Sequence, residues 1–209
     1  MPRRGTLRVH GHGGVEVALI VPFLEDLRRA YSSLFVFDSL FTEPRLTAYW
    51  AEGLYFGPFG AHSGLVYQLS RGRGLGIKEL ETFIPLAERL TLQRVSLSSP
   101  GEWDFIGALN PLEVIRKSLN DHHERRKDRE YREAAESERL KLENERLKTQ
   151  VLREKVKLAK ELGATDADLA PLLNKLVHEP LRALGSHQTV GLIDTAELTP
   201  EADNDGAAS

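Results

Sequence analysis

The sequence predicts an α+β fold: a small two-layer α/β-sandwich head (sheet plus one long helix), then a long charged α-helix that is coiled-coil-like, then a short C-terminal amphipathic helix. Three observations carry this. Apolar residues recur at helical spacing between Phe23 and Phe41, two alternating segments flank Pro100-Gly101 as a hairpin would, and no glycine or proline occurs from Leu112 to Leu162.

Thr6-Leu7-Arg8-Val9-His10 alternates polar and apolar residues, and Gly11-His12-Gly13-Gly14 ends the alternation, which reads as a strand and a turn. A helix follows. Its apolar positions are Phe23, Leu24, Leu27, Ala30, Tyr31, Leu34 and Phe37 or Phe41, three and four apart, with Glu25, Asp26, Arg28 and Arg29 between them. Pro22 suits the first turn or a kink just above it.

From Glu43 to Leu86 no period holds, and the glycine-aromatic run from Tyr49 to Gly60 reads as loop. Short strands are expected at Leu54 to Phe56 and Leu65 to Leu69, with a break at Arg71 to Gly76. The hairpin comes next. Leu90 to Leu97 and Glu102 to Ile106 largely alternate on either side of Pro100-Gly101, so the sheet should be antiparallel or mixed.

Asn110, Pro111 and Glu113 supply an N-cap acceptor, a proline in the first helical position and a carboxylate in the third. Without interruption until Gly163, the economical expectation is one helix of about 52 residues, on the order of 75 Å long. Opposite charges at helix-neighbour spacing, such as Asp121 with Arg125 and Asp128 with Arg132, support its first half as a solvated spacer. From about residue 140 an apolar stripe runs through Leu140, Leu147, Val151, Leu158 and Leu162, with Asn144 and Lys155 in intermediate places. An 11-residue step fits this stripe better than a heptad. Past Gly163-Ala164, a second capped helix places Leu169, Leu172, Leu173, Leu176 and Val177 on one face, which should fold back on Leu158 and Leu162 or onto a second copy. Pro180 and Gly185 are expected to limit it, and Thr199 to Ser209 should be disordered.

Composition agrees with this division. Residues 1–110 carry no net charge, 111–163 carry +3 and 164–209 carry -6, and 14 of the 15 aromatic residues lie between Phe23 and Phe105. The expected organisation is therefore a head over 1–110, a long helix over 111–163, a helical segment over 164–198 and a tail over 199–209. A total charge of -3 argues against a polybasic coat, and zero cysteines exclude disulfides and thiol chemistry. The longest apolar stretch, Val17 to Leu24, is too short to span a bilayer, and Met1-Pro2-Arg3-Arg4 lacks a signal region, so a cytoplasmic protein is expected.

Chemical motifs are incomplete. His10 and His12 share one side of a strand but lack a third ligand, and the adjacent His122 and His123 lack the one-turn spacing of a zinc pair. Gly11 to Gly14 sits where a helix start can attract an anion, yet it completes no dinucleotide fingerprint, and Gly72 to Lys78 lacks the ending of a phosphate loop. Glu102 and Asp104 fit the solvated face opposite Trp103 and Phe105 better than an acid-base pair. A basic-region zipper is not met either, because residues 116–139 carry 8 Lys+Arg and 7 Asp+Glu. Arg71-Gly72-Arg73-Gly74 is too short for an RNA-binding repeat.

The expected function is that of a non-enzymatic interaction protein, a regulatory or signalling adaptor whose head is displayed on a helical oligomerisation arm. Leu140, Asn144, Leu147, Val151, Leu158, Leu162, Leu169, Leu172, Leu173 and Leu176 form the expected contact between copies. Tyr49, Trp50, Tyr55, Phe56 and Phe59 form the expected recognition surface. The alternative is a nucleic-acid-associated regulator that pairs Arg3, Arg4 and the Arg125 to Arg129 patch across a dimer. The third reading is a small-molecule or anion sensor, or an enzyme, at Gly11 to Gly14. No catalytic, cofactor or metal residue is assigned.

Overall fold

Alternation at the N-terminus builds the centre of a sheet. In β1 (Arg4–Gly11), Gly5, Leu7, Val9 and Gly11 are buried while Arg4, Thr6, Arg8 and His10 are half-buried on the other face. The computed structural model describes residues 3–12, 16–42, 76–96, 100–131, 152, 154–161 and 165–201. β1 leads into α1 (Val17–Thr42), which buries Phe23, Leu27, Ala30, Tyr31, Leu34 and Phe37 on the sheet, as the spacing predicts. Pro22 lies inside α1 and is exposed, so its missing N–H falls on the solvent side.

After residues outside the described set come a short helix, α2 (Ile77–Glu81), and a 3-10 turn at Leu86–Glu88. Arg28 holds α2 on α1 through both oxygens of Glu81, each at 2.5 Å. The hairpin is β2 (Thr91–Ser96) and β3 (Gly101–Ala108). One register irregularity between Leu92 and Arg94 puts Leu92 opposite Phe105 and Val95 opposite Trp103. The extra residue explains why two apolar side chains three apart share one face, a departure from the strict alternation expected of the strand.

Tyr31 joins three of these pieces. Its hydroxyl donates to the Glu88 carbonyl at 2.5 Å and accepts the Ala108 N–H at 2.7 Å. Its ring lies against Gly107, where an added Cβ would come within 2.7 Å of it. Burial pushes the phenol up to about 12, so it stays protonated and able to donate.

α3 (Leu109–Tyr131) begins directly after β3, with Asn110 and Pro111 in its first turn rather than ahead of it. The single straight helix expected to follow is excluded. Asp38 near the end of α1 meets Asn110 Nδ2 at 3.4 Å and Lys155 Nζ at 2.8 Å, whereas a straight helix would separate residues 110 and 155 by about 67 Å. Residues 154–161 are helical and lie on the body: Ala159 is fully buried, and Leu152, Val156 and Leu158 pack against the core.

α4 (Asp166–Leu173) passes through a π turn at Asn174–His178 into α5 (Glu179–Thr189). Pro180 and Gly185 do not end the helix. Pro180 falls directly after the π turn, where the helical backbone runs on through His178 and Glu179, and Gly185 leaves room for the His122 ring, 3.4 Å from where a Cβ would be. The chain then turns at Gly191, whose φ of 76° suits glycine.

β4 (Ile193–Pro200) takes the last six residues of the helical segment expected over 164–198, the rest of which is largely helical, and the first two residues of the expected tail. Its signal is weak in sequence because a register irregularity opposite Val9 and Gly11 breaks the alternation of Ile193, Ala196 and Leu198. It docks beside β1, giving the antiparallel order β2-β3-β1-β4. With helices between β1 and β2 and between β3 and β4, this is the split β-α-β arrangement also called ferredoxin-like. Residues on both sides of position 110 share one core: Leu7, Phe23 and Trp103 belong to the same cluster as Ile115, Leu172 and Leu184. Among the described residues no helix is long and apolar enough to cross a membrane.

Replacing Tyr31 by Phe strands the Ala108 N–H and the Glu88 carbonyl in a buried site. Urea unfolding of Tyr31→Phe should show a loss of about 1–3 kcal/mol relative to the parent chain; an unchanged midpoint would contradict this role.

Candidate functional site

Because α1, α3 and α5 all take one face of the sheet, the other face is written by the alternate residues of each strand. The register arranges them in rows. Thr91, Ile106, Thr6 and Thr199 form a neutral row, and Ser96, Glu102 and His10 form another at the opposite end. Between them Arg94, Asp104, Arg8 and Glu197 alternate in sign across all four strands. Such cross-strand pairs favour the observed register, since a slip by one residue would break every one of them.

The strongest member of the row is Arg8 with Asp104. Arg8 Nε and Nη2 donate to the two carboxylate oxygens at 2.8 and 3.0 Å. The Asp104 side chain is only 8% exposed, and the Arg8 guanidinium holds its carboxyl below the usual range against the opposing pull of burial. Arg94 adds a weaker attraction and, among the described residues, makes no hydrogen bond or ion pair of its own. Glu102 and Asp104 thus lie opposite Trp103 and Phe105, as expected, but Asp104 is buried under Arg8 rather than solvated.

The histidines separate. His10 lies between Glu102, 3.9 Å from Nδ1, and Glu197, 3.6 Å from Nε2. His12 instead faces Asp194 at 3.1 Å, and His123 of α3 approaches the other oxygen of Asp194 at 3.9 Å. The solvated-face expectation for His122 and His123 gives way to contacts with Gly185 and Asp194. Among the described residues no group of three or more His, Asp or Glu is arranged to hold a metal ion. A further pair was not singled out by the sequence: His187 of α5 meets Asp26 of α1 at 2.9 Å, with Phe23 edge-on to its ring. Nothing in the spacing of residues 161 positions apart announces it.

At the turn after β1, Gly11 is required by packing, since a Cβ there would fall 2.8 Å from the Leu192 carbonyl and 3.1 Å from the Trp103 ring. Gly13 and Gly14 lie outside the described residues, as do Tyr49, Trp50, Tyr55, Phe56 and Phe59. Of the expected contact between copies, Leu140, Asn144, Leu147, Val151 and Leu162 also lie outside. Leu169, Leu172 and Leu176 are buried in their own chain's core, with Leu158 and Leu173 packed against it. That face is therefore already covered within one molecule. The side chains of Arg125 to Arg129 are outside the described set.

The two outer strands differ. On β4, the Asn120 side chain accepts the Ala196 N–H at 2.9 Å and donates to the Ala196 carbonyl at 3.0 Å, while Pro200 ends the strand. On β2, residues 91–95 are all exposed, and Leu92 and Val95 show 42% and 49% of their surface. Comparison with known protein families, with curated proteins and with solved structures finds no match.

The Arg8–Asp104 pair sets a pH dependence. A depressed carboxyl contributes stability above its unfolded value, about 4, and loses that contribution as pH falls through its lower folded value. The stability gap between the parent chain and Asp104→Asn should thus be wide at pH 7 and close toward pH 2; a gap that is the same at both would contradict it.

Proposed function

We propose that the protein is a non-enzymatic interaction protein of regulatory or adaptor type, whose α+β body is joined to further copies through the charged segment between α3 and the helical stretch 154–161. The observation that carries this reading is the double contact of Asp38, with Asn110 on one side and Lys155 on the other. Asn110 and Lys155, on either side of the charged segment, thus meet the same end of α1. Within it, Leu140, Leu147 and Val151 keep an apolar spacing that the core of the body, filled by Leu169, Leu172 and Leu176, does not call for. Buried apolar surface between copies is what such a stripe offers, and Asn144, if buried in that contact, sets its register.

Nucleic-acid binding fits this body less well. Its exposed sheet face alternates Arg94, Asp104, Arg8 and Glu197, so each cation comes with a carboxylate, and it presents no aromatic side chain on which a base would stack.

Sedimentation of the intact chain at micromolar concentration should give a dimer or larger species. A variant with residues 132–151 replaced by a glycine-serine linker of equal length should sediment as a monomer while keeping the near-ultraviolet signal of the buried Trp103. A monomeric intact chain would overturn the reading.

A further inference from the structure

We propose that the outer edge of β2 is a docking edge for an extended segment of a partner protein whose side chains alternate carboxylate and apolar. This rests on reading the chain as an interaction protein, and it uses residues other than those of the charged segment. A sheet edge presents unpaired backbone groups, and folded proteins ordinarily block it with proline, inward charge or a covering element. β4 is blocked in this way: Asn120 takes both backbone groups of Ala196, and Pro200 closes the strand. Among the described residues nothing comparable covers β2, whose sequence Thr-Leu-Gln-Arg-Val-Ser contains no proline and one charge.

The two faces of β2 specify the chemistry of the fifth strand. On the open face the row Glu197, Arg8, Asp104, Arg94 alternates in sign and ends at the edge on a cation that, among the described residues, has no hydrogen-bonded or ion-paired partner. Continuing the alternation requires a carboxylate beside Arg94. On the helix face, Leu92 and Val95 extend the surface of Phe105 and Trp103 outward and remain 42% and 49% exposed. An incoming strand buries them with apolar side chains at its alternate positions. The irregularity between Leu92 and Arg94 shortens the regular run, which favours a short segment over a long strand.

The test uses the full chain and a fluorescein-labelled hexapeptide of alternating valine and glutamate, read by anisotropy. Saturable binding on the order of 10–100 μM is expected, weakened about tenfold or more when lysine replaces glutamate or proline interrupts the peptide. Arg94→Glu should reverse the preference in favour of the lysine peptide, and Val95→Lys, at an exposed position, should abolish binding of the glutamate peptide. No saturation by about 1 mM, or binding indifferent to proline and to Arg94→Glu, overturns the proposal. Self-association of the chain that Val95→Lys removes would place a second copy on β2 and overturns it too. Failure of the peptide with the oligomer intact sinks the docking edge alone; a monomeric chain that still binds the peptide sinks the oligomer alone.

Discussion

The sheet has one apolar face to bury, and residues far apart in the chain bury it together. Leu7 and Val9 of β1 and Trp103 and Phe105 of β3 lie under Phe23, Leu27 and Tyr31 of α1, Leu112, Ile115 and Leu119 of α3, and Leu184 of α5. Because most of the apolar surface goes to that side, the opposite face is left mainly to charge and hydroxyl groups, with Ile106 among them. Because β1 lies between β3 and β4, the C-terminal segment must be in place before the central strand has both its neighbours. Asn120 and Gln188 fix that segment, the first on Ala196 and the second on the carbonyls of Leu119 and Asp194. Buried amides that satisfy strand backbone in this way are costly to remove, so α3, α5 and β4 are tied into one unit.

Much of this was legible in the amino-acid order where a period was strong. α1 buries the residues its three-and-four spacing names, and the hairpin around Pro100-Gly101 falls where alternation placed it. The rest was hidden for definite reasons. β4 is irregular, so Ile193, Ala196 and Leu198 do not alternate in sequence although they share a face. Charge spacing within 111–163 supports helix locally but says nothing about direction, and only the meeting of Asn110 and Lys155 at Asp38 reveals that the chain returns. Leu169, Leu172 and Leu176 carried the right amphipathic signal, yet the same stripe serves a fold within one chain or a contact between two. The pairs His12 with Asp194 and His187 with Asp26 join residues more than 150 positions apart, beyond any local pattern.

The near-neutral charge of the chain takes on a local meaning on the open face. Alternation of sign across four strands gives that face little net field while fixing the register beneath it, which is a structural use of charge rather than an anion-binding one. The alternation is also directional. It runs from a carboxylate on β4, whose Ala196 is bonded to Asn120, to a cation on β2, which nothing among the described residues covers.

The C-terminal segment completes the sheet as the strand beside β1, and among the described residues nothing covers the outer edge of β2. Hydrogen exchange of the full chain, followed amide by amide, tests this most directly. Amides of β1, β3 and β4 should exchange together at the slow rate of global unfolding, while alternate amides of β2 exchange rapidly. Rapid exchange throughout β4, or protection of every β2 amide as strong as that of β3, would contradict it.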